Sequence, residues 1–284
     1  VDLGWLLCGV NSMQRKLSGC GVTLEELTDK AILALQTFAP EQGYYGCFSG
    51  GKDSVVIKEL ARLARVKVDW YYNQTTIDPP ELIKFIKTKH GDVEWVRPKQ
   101  NFFTAMERRG FPTRRNRWCC QEYKEGQSPE GAFLILGVRA AESPRRKAAW
   151  KLITHHTRTK NNAISPIIAW SDEDVWEFIR SHKIPYCRLY DEGFDRLGCI
   201  GCPMARKAAR IAEFARWPGY ERAWRRTFQR IWDRKAGTKQ RDGREWFGSA
   251  RFSSWEGMWD WWLSDDSLPG TEGDECQGML ELWG

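Results

Sequence analysis

The chain has 284 residues, 42% hydrophobic and 29% charged, with a formal net charge of +7 at pH 7; that balance fits a soluble globular protein with one large α/β domain plus an appended region. It contains no apolar run long enough to span a bilayer, and it opens with neither the basic n-region nor the long apolar stretch of a secretory signal. No membrane role is indicated, and the expectation is a cytoplasmic protein whose start is Val1 or Met13; in a reducing cytosol its nine cysteines argue for metal or redox chemistry over a disulfide framework.

Thr23 and Glu26 have capping-box spacing ahead of an apolar-periodic run, so the first expected element is a helix over residues 23–38 that stops near Pro40. Residues 44–48 form a short β-prone run. It leads directly into Ser49-Gly50-Gly51-Lys52-Asp53-Ser54 and then into helical periodicity over 55–65. Strand, glycine loop and helix make the βα unit of a parallel sheet. The pattern continues with a strand over 66–72, a helix over 80–90, a strand over 93–96, a helix over 102–109 and a buried strand over 132–138. This alternation predicts a doubly wound, mostly parallel α/β sheet. After Arg139 a polar loop and a hairpin follow, then Ser171-Asp172-Glu173-Asp174 caps a helix to His182. A turn-rich stretch carries Cys199 and Cys202, and residues 205–235 read as a helical region broken at Pro218 and Gly219. The expected organisation is a helical segment over 1–40, a nucleotide-binding and cysteine-bearing domain over 41–204, and a basic helical region with an acidic, Trp-rich tail over 205–284.

Charge is unevenly placed. Residues 204–251 hold fourteen Lys or Arg against five Asp or Glu, whereas 252–284 hold no Lys or Arg, eight acidic residues and five of the sixteen tryptophans. Such a pattern suggests a polyanion-binding surface, with nucleic acid as a candidate partner, or a tail that docks on its basic neighbour. Solvated helix faces with a packed terminus are the plainer alternative.

Two constellations carry chemistry. In the glycine loop, Gly50 and Gly51 let backbone N–H groups approach phosphate oxygens, and the following helix N-terminus favours negative charge. Lys52 adds a cation, Ser49 and Ser54 add hydroxyls, and Asp53 completes the hexapeptide. The second constellation is Cys119-Cys120 with Cys199-Ile200-Gly201-Cys202, four thiols suited to an iron–sulfur cluster or to zinc. Asp78 falls in the loop after the second strand, where ligands to nucleotide or Mg²⁺ sit, or where a carboxylate caps the loop. Arg139 and Arg145, with Arg114, Arg115, Arg117 and Arg146, could grip sulfate or phosphate in bidentate fashion. His155 and His156 read as strand-end residues, and Cys8, Cys20, Cys47 and Cys187 as small apolar side chains.

The loop lacks the Gly-x-x-x-x-Gly-Lys spacing of a Walker loop and is similar to the PP-loop of ATP pyrophosphatases and their relatives. Cys119-Cys120, about eighty residues and then Cys199-x-x-Cys202 resembles the iron–sulfur-containing adenylyl-sulfate reductases of the phosphoadenosine phosphosulfate (PAPS) reductase family. Lys124, Gly137-Val138-Arg139 with Ser143 and Arg145, Ser165-Pro166-Ile167 before Trp170-Ser171, Ile184-Pro185-Tyr186, Leu189-Tyr190-Asp191-Glu192-Gly193 and Gly198-Cys199 continue the resemblance over about 44–204. It implies a PP-loop, Rossmann-like fold, an adenine nucleotide on Ser49–Ser54, and a [4Fe–4S] cluster on Cys119, Cys120, Cys199 and Cys202. Family reductases also use a C-terminal cysteine in a Glu-Cys-Gly-hydrophobic-His context as nucleophile. Here Asp274-Glu275-Cys276-Gln277-Gly278-Met279 keeps Glu-Cys without the His, which nominates Cys276. Those reductases usually lack the loop lysine, so the retained Lys52 departs toward enzymes that cleave ATP.

Three readings follow. In the first, a sulfonucleotide reductase uses Cys276 and Lys52 as catalytic residues on adenylyl sulfate or PAPS, and a thioredoxin-like donor releases sulfite. In the second, an ATP pyrophosphatase, with Mg²⁺ accompanying ATP, adenylylates a substrate such as nucleic acid for sulfur insertion; Lys52 and the basic 204–251 stretch favour it. In the third, a noncatalytic nucleotide-binding module holds structural zinc.

Overall fold

A computed structural model of the chain describes residues 21–264 and 266, apart from 126, 157–158 and 240–242. In chain order the elements are α1 (Leu24–Thr37), β1 (Tyr44–Cys47), α2 (Lys52–Ala64), β2 (Val68–Asn73), α3 (Pro80–Lys89), β3 (Glu94–Val96), α4 (Phe102–Arg109) and the short α5 (Trp118–Cys120). They continue as β4 (Phe133–Ile135), α6 (Pro144–Ala149), β5 (Ile153–His156), β6 (Asn161–Ile164), α7 (Asp172–Ser181), α8 (Lys207–Arg216), α9 (Pro218–Lys235), α10 (Phe247–Arg251) and α11 (Trp255–Ser264).

These elements form two compact units built from interleaved segments. The first takes the described residues up to Asn73 with Pro80–Val96 and Glu125–Leu197; the second takes Gln74–Pro79, Arg97–Lys124 and the described residues from Gly198 on. The expected boundaries near 40 and 204 are contiguous in sequence, whereas each unit draws on separated segments.

The first unit is the expected mostly parallel sheet. Its strand order is β3-β2-β1-β4-β6-β5, and only β5 runs antiparallel, to β6. From β1 the chain steps outward to β2 and β3, then returns to β4 on the other side of β1. The carboxyl ends of β1 and β4 therefore flank a topological switch point, where open α/β sheets bind ligands. Helix α1 starts in the expected capping box: Thr23 Oγ1 accepts from Glu26 N at 3.2 Å while Glu26 Oε2 accepts from Thr23 N at 3.2 Å. Its apolar stripe, Leu27, Ala31, Ala34 and Leu35, is buried, and both α1 and α7 pack on α2. On α2, Val55, Val56, Ile57 and Leu60 are buried.

The second unit is helical with an aromatic core. Trp224 stacks on Trp262 at 4.7 Å between ring centroids, Phe111 on Phe228 at 4.6 Å, and Trp259 lies 5.2 Å from Phe228. Each such ring contributes on the order of 2–3 kcal/mol through burial. Part of the Trp-rich stretch is thus interior: Met258, Trp259 and Trp262 of α11 are buried. Part of the basic stretch is interior too, for Arg210 is 1% exposed and donates to the carbonyls of Trp262 at 2.7 Å and Leu263 at 3.1 Å, capping the carboxyl end of α11. Among the described residues no helix is long and apolar enough to cross a membrane.

Candidate functional site

In the first unit, residues 48–51 carry the chain from the end of β1 to the first turn of α2. Gly50 has φ +73°, and a Cβ there would sit 2.7 Å from Leu82 Cδ1, so the turn requires glycine. Gly51 caps α2 without a side-chain bond to the helix amides. Ser54 Oγ donates to the Gly51 carbonyl at 2.8 Å, and Ser49 Oγ accepts from Gly51 N at 3.4 Å. Both hydroxyls therefore shape the loop from within. Lys52 N donates to Tyr190 Oη at 2.8 Å.

Around the loop, charges alternate. Lys52 Nζ lies 3.3 Å from Asp172 Oδ1 and donates to the Asp195 carbonyl at 3.3 Å. Arg139, 2% exposed, donates to Asp53 Oδ1 at 2.6 Å, to Asp172 Oδ1 at 2.6 Å and to the Trp170 carbonyl at 3.4 Å. Burial alone would raise the Asp172 carboxyl, but Lys52 and Arg139 outweigh it and hold its pKa below the usual range. Arg139 is thus a brace between the loop after β4 and the start of α2, its charge matched by two carboxylates. Arg145 is exposed on α6, while Arg146 pairs with Glu142. Loop amides, a helix N-terminus and a buried lysine can hold an anion on the carboxyl side of β1.

The four candidate metal-ligating cysteines fall in the second unit. Cys119 and Cys120 close α5, and the chain continues into a π-helical turn over Gln121–Glu125. Trp118 anchors this segment by donating to the Gly110 carbonyl at 3.1 Å and stacking on Phe102 at 5.7 Å. Cys199 and Cys202 flank a tight turn in which Cys202 N donates to the Cys199 carbonyl at 3.2 Å. Gly201, at φ +75°, leaves no room for a side chain: a Cβ would lie 2.7 Å from Phe214 Cζ. Arg114 ties the two regions together by donating to the carbonyls of Pro203 at 3.1 Å and Ala205 at 3.4 Å, and Ile200 N donates to the Ile77 carbonyl at 2.8 Å.

The thiols share one electrostatic neighbourhood. The Cys119 thiol is pushed far up by a hydrogen bond with Cys120, then by burial, then by Cys120, Cys199 and Cys202. Burial pushes Cys199 up to about 11 against the pull of Lys124. Lys124 is held protonated well above its usual range, foremost by Cys199, with Asp78, Cys202 and Cys120 adding to it against burial. All four cysteines are free of disulfides. Among the described residues no group of three or more His, Cys, Asp or Glu side chains is arranged to hold a metal ion.

Asp78 also lies in the second unit, where its Oδ2 accepts from Thr75 N at 2.9 Å and its carbonyl accepts from Tyr220 Oη at 3.2 Å. His155 Nδ1 lies 3.0 Å from Asn162 Oδ1. Cys276 lies outside the described residues. Sequence reasoning read Asp172 only as a helix-capping residue and gave Tyr190 and Asp195 no role at the loop. No spacing rule links positions 52, 172, 190 and 195; a charged residue beside a helix cap was the available signal for Asp172.

Residues 44–205, more than half of the chain, match the model of the phosphoadenosine phosphosulfate reductase domain. An uncharacterized protein of Methanocaldococcus jannaschii is 34% identical over 170 residues, 55% of this chain and 35% of that one, so the chain spans about a third of that relative's length. The adenosine 5'-phosphosulfate reductase of Shouchella clausii is 26% identical over 201 residues, 66% of this chain and 80% of that one. Among solved structures, the phosphate complex of the phosphoadenylyl-sulfate reductase from Candida auris superposes with a TM-score of 0.46 at 15% identity, covering 64% of this chain and 98% of that one. With its glycine loop and cysteine pairs inside the matched span, the chain belongs to the phosphoadenosine phosphosulfate reductase domain family.

Proposed function

We propose that the chain is a sulfonucleotide reductase-like enzyme that binds an adenine nucleotide on Ser49, Gly50, Gly51, Lys52, Asp53 and Ser54 and carries a [4Fe–4S] cluster on Cys119, Cys120, Cys199 and Cys202. The observation that carries the reading is the loop at the switch point, with Lys52 buried at the first turn of α2 inside the family-matched span. The donor chemistry fits the cluster: four thiols outside any disulfide feel one another's charge and face a lysine cation. When bound, the cluster supplies electrostatic tuning of the substrate.

In this reading the chain's own residues divide the work. Lys52 and the loop amides bind the anionic end of adenylyl sulfate or PAPS, and Arg139 and Asp172 hold Lys52 and α2 in place; Arg145 and Asp78 remain candidates for further nucleotide contacts. Cys276 thiolate attacks sulfur: an S–S bond forms, the sulfur–oxygen bond to the nucleotide breaks, and AMP, or its 3′-phosphorylated form, leaves. A thioredoxin-like dithiol then reduces the Cys276 thiosulfonate, releasing sulfite and the free thiol and becoming a disulfide itself. A cytoplasmic setting fits this thiol chemistry.

A specific observation favours a second reading, an ATP pyrophosphatase that works with Mg²⁺ and adenylylates nucleic acid. Arg222, Arg226, Arg230 and Arg234 recur every fourth residue of α9 and are all exposed, forming a stripe with a rise of about 6 Å per step suited to successive phosphates. Arg230 is shared with Glu107 at 2.8 Å. The deciding experiment gives anaerobically purified protein, with iron and sulfide quantified, ATP, adenylyl sulfate or PAPS in turn. Sulfite release with iron and sulfide present supports the reductase. Pyrophosphate release from ATP without sulfite supports the second reading, and stoichiometric zinc with neither activity overturns both.

A further inference from the structure

The first amide of a helix has no partner inside that helix, and in an anion-binding loop it is the donor offered to the ligand. Here that donor is occupied. Lys52 N, the first helical amide of α2, donates to Tyr190 Oη at 2.8 Å. The tyrosine ring is wedged edge-on against Trp176 at 5.1 Å and lies near Tyr186 at 6.4 Å, with the Lys52 ammonium 5.9 Å from its centroid. These aromatic contacts restrain the ring. The hydroxyl's own proton has no acceptor among the described residues, whereas Ser54 Oγ spends its proton on the Gly51 carbonyl within the loop. A hydroxyl that accepts from one amide is polarised into a better donor.

The geometry points to Tyr190 as a phosphate-positioning residue: its hydroxyl accepts from Lys52 N and donates its proton to the anionic group of the nucleotide, so that the first amide of α2 acts on the ligand through Tyr190. The inference rests on the nucleotide reading of the loop. It adds a ligand contact from a segment far along the chain, and that segment also supplies the Asp195 carbonyl to the Lys52 ammonium at 3.3 Å. Burial holds the phenol well above its usual pKa, so it keeps its proton at neutral and mildly alkaline pH and donates there.

The test is calorimetric titration of the full chain, purified anaerobically, with ATP, adenylyl sulfate and adenosine, for wild type, Tyr190→Phe and Lys52→Ala. Tyr190→Phe keeps the ring but removes the hydroxyl. It should bind ATP and adenylyl sulfate about tenfold or more weaker, a typical loss for one hydrogen bond to a charged acceptor, while adenosine binds as it does to wild type. Tyr190→His, which restores a ring donor, should recover part of the loss. Equal or tighter binding of both anionic nucleotides by Tyr190→Phe overturns the inference, because the hydroxyl then merely blocks the amide. An equal loss for adenosine overturns it as well, by assigning the ring a structural role. If Lys52→Ala weakens ATP and Tyr190→Phe does not, Tyr190 alone is wrong; if wild type binds none of the three ligands, the nucleotide reading falls and takes Tyr190 with it.

Discussion

Asp172 illustrates how a single side chain acquires a role from its neighbours. Its place at the first helical position of α7, after Ser171, is what a capping stretch provides, yet its carboxylate also contacts Lys52 at 3.3 Å and Arg139 at 2.6 Å. These cations hold its pKa below the ordinary value of 3.8 against the effect of burial. A depressed carboxylate contributes stability that is complete above its unfolded-state pKa and is lost as pH falls through its lower folded-state value. Thermal melts should therefore show the wild-type midpoint falling more steeply below about pH 4 than that of Asp172→Asn. Because the Asp172 side chain is 62% exposed, solvent and salt screen the pair. The difference should be small and should shrink further at high ionic strength. Curves of identical slope in the two proteins would remove Asp172 from the acid response.

At the level of elements, the turn that ends α3 offers a second pH signature. His90 is 7% exposed, with its ring 4.6 Å from Phe48 and 5.0 Å from Phe85. Its Nδ1 lies 3.3 Å from Lys58 Nζ, and Lys58 in turn donates to Asp92 at 2.6 Å. An ammonium can only donate, so Nδ1 accepts and the neutral ring carries its proton on Nε2. Burial first and Lys58 second lower the His90 pKa from 6.5 to about 4, with Asp92 opposing. The unfolded chain thus binds a proton that the folded one refuses, and stability should be lost as pH falls from about 6.5 toward 4. His90→Gln should flatten the unfolding midpoint across that window in urea titrations, at some cost in packing at higher pH. A wild-type midpoint that is flat from pH 6.5 to 4 would show that the imidazole titrates normally.

Across the whole molecule, the uneven charge and the terminal cysteine raise the question of which chemistry is performed. The described part of the acidic, Trp-rich stretch is a packed helix, and the basic stretch divides between interior braces such as Arg210 and the exposed arginines of α9. Cys276 follows two acids, Asp274 and Glu275, whose like charge disfavours a thiolate, so a role as nucleophile requires approach to a basic site. Replacing Cys276 with Ser should abolish sulfite release from adenylyl sulfate while leaving iron content and nucleotide binding intact. Unchanged turnover in Cys276→Ser takes that cysteine out of the chemistry and moves the weight to ATP cleavage.

The sequence by itself determined the strand–loop–helix at 44–64 and the mostly parallel sheet. Glycines beside a lysine at a strand end, and hydrophobic periods that alternate between two and 3.6, are local signals that need no partner to be legible. It also placed α1 through its capping box and the break between α8 and α9 through Pro218. Only the tertiary structure decided what surrounds Lys52. Asp172, Tyr190 and Asp195 reach it from more than a hundred residues away in sequence, and no periodicity encodes a contact made by sheet order and helix packing. The same holds for the cysteine pairs. Their spacing announced metal or redox chemistry, but Arg114 on the Pro203 and Ala205 carbonyls and Lys124 beside Cys199 follow from the folding of separate segments into one helical unit, where buried charges and carbonyls must find partners wherever the chain brings them.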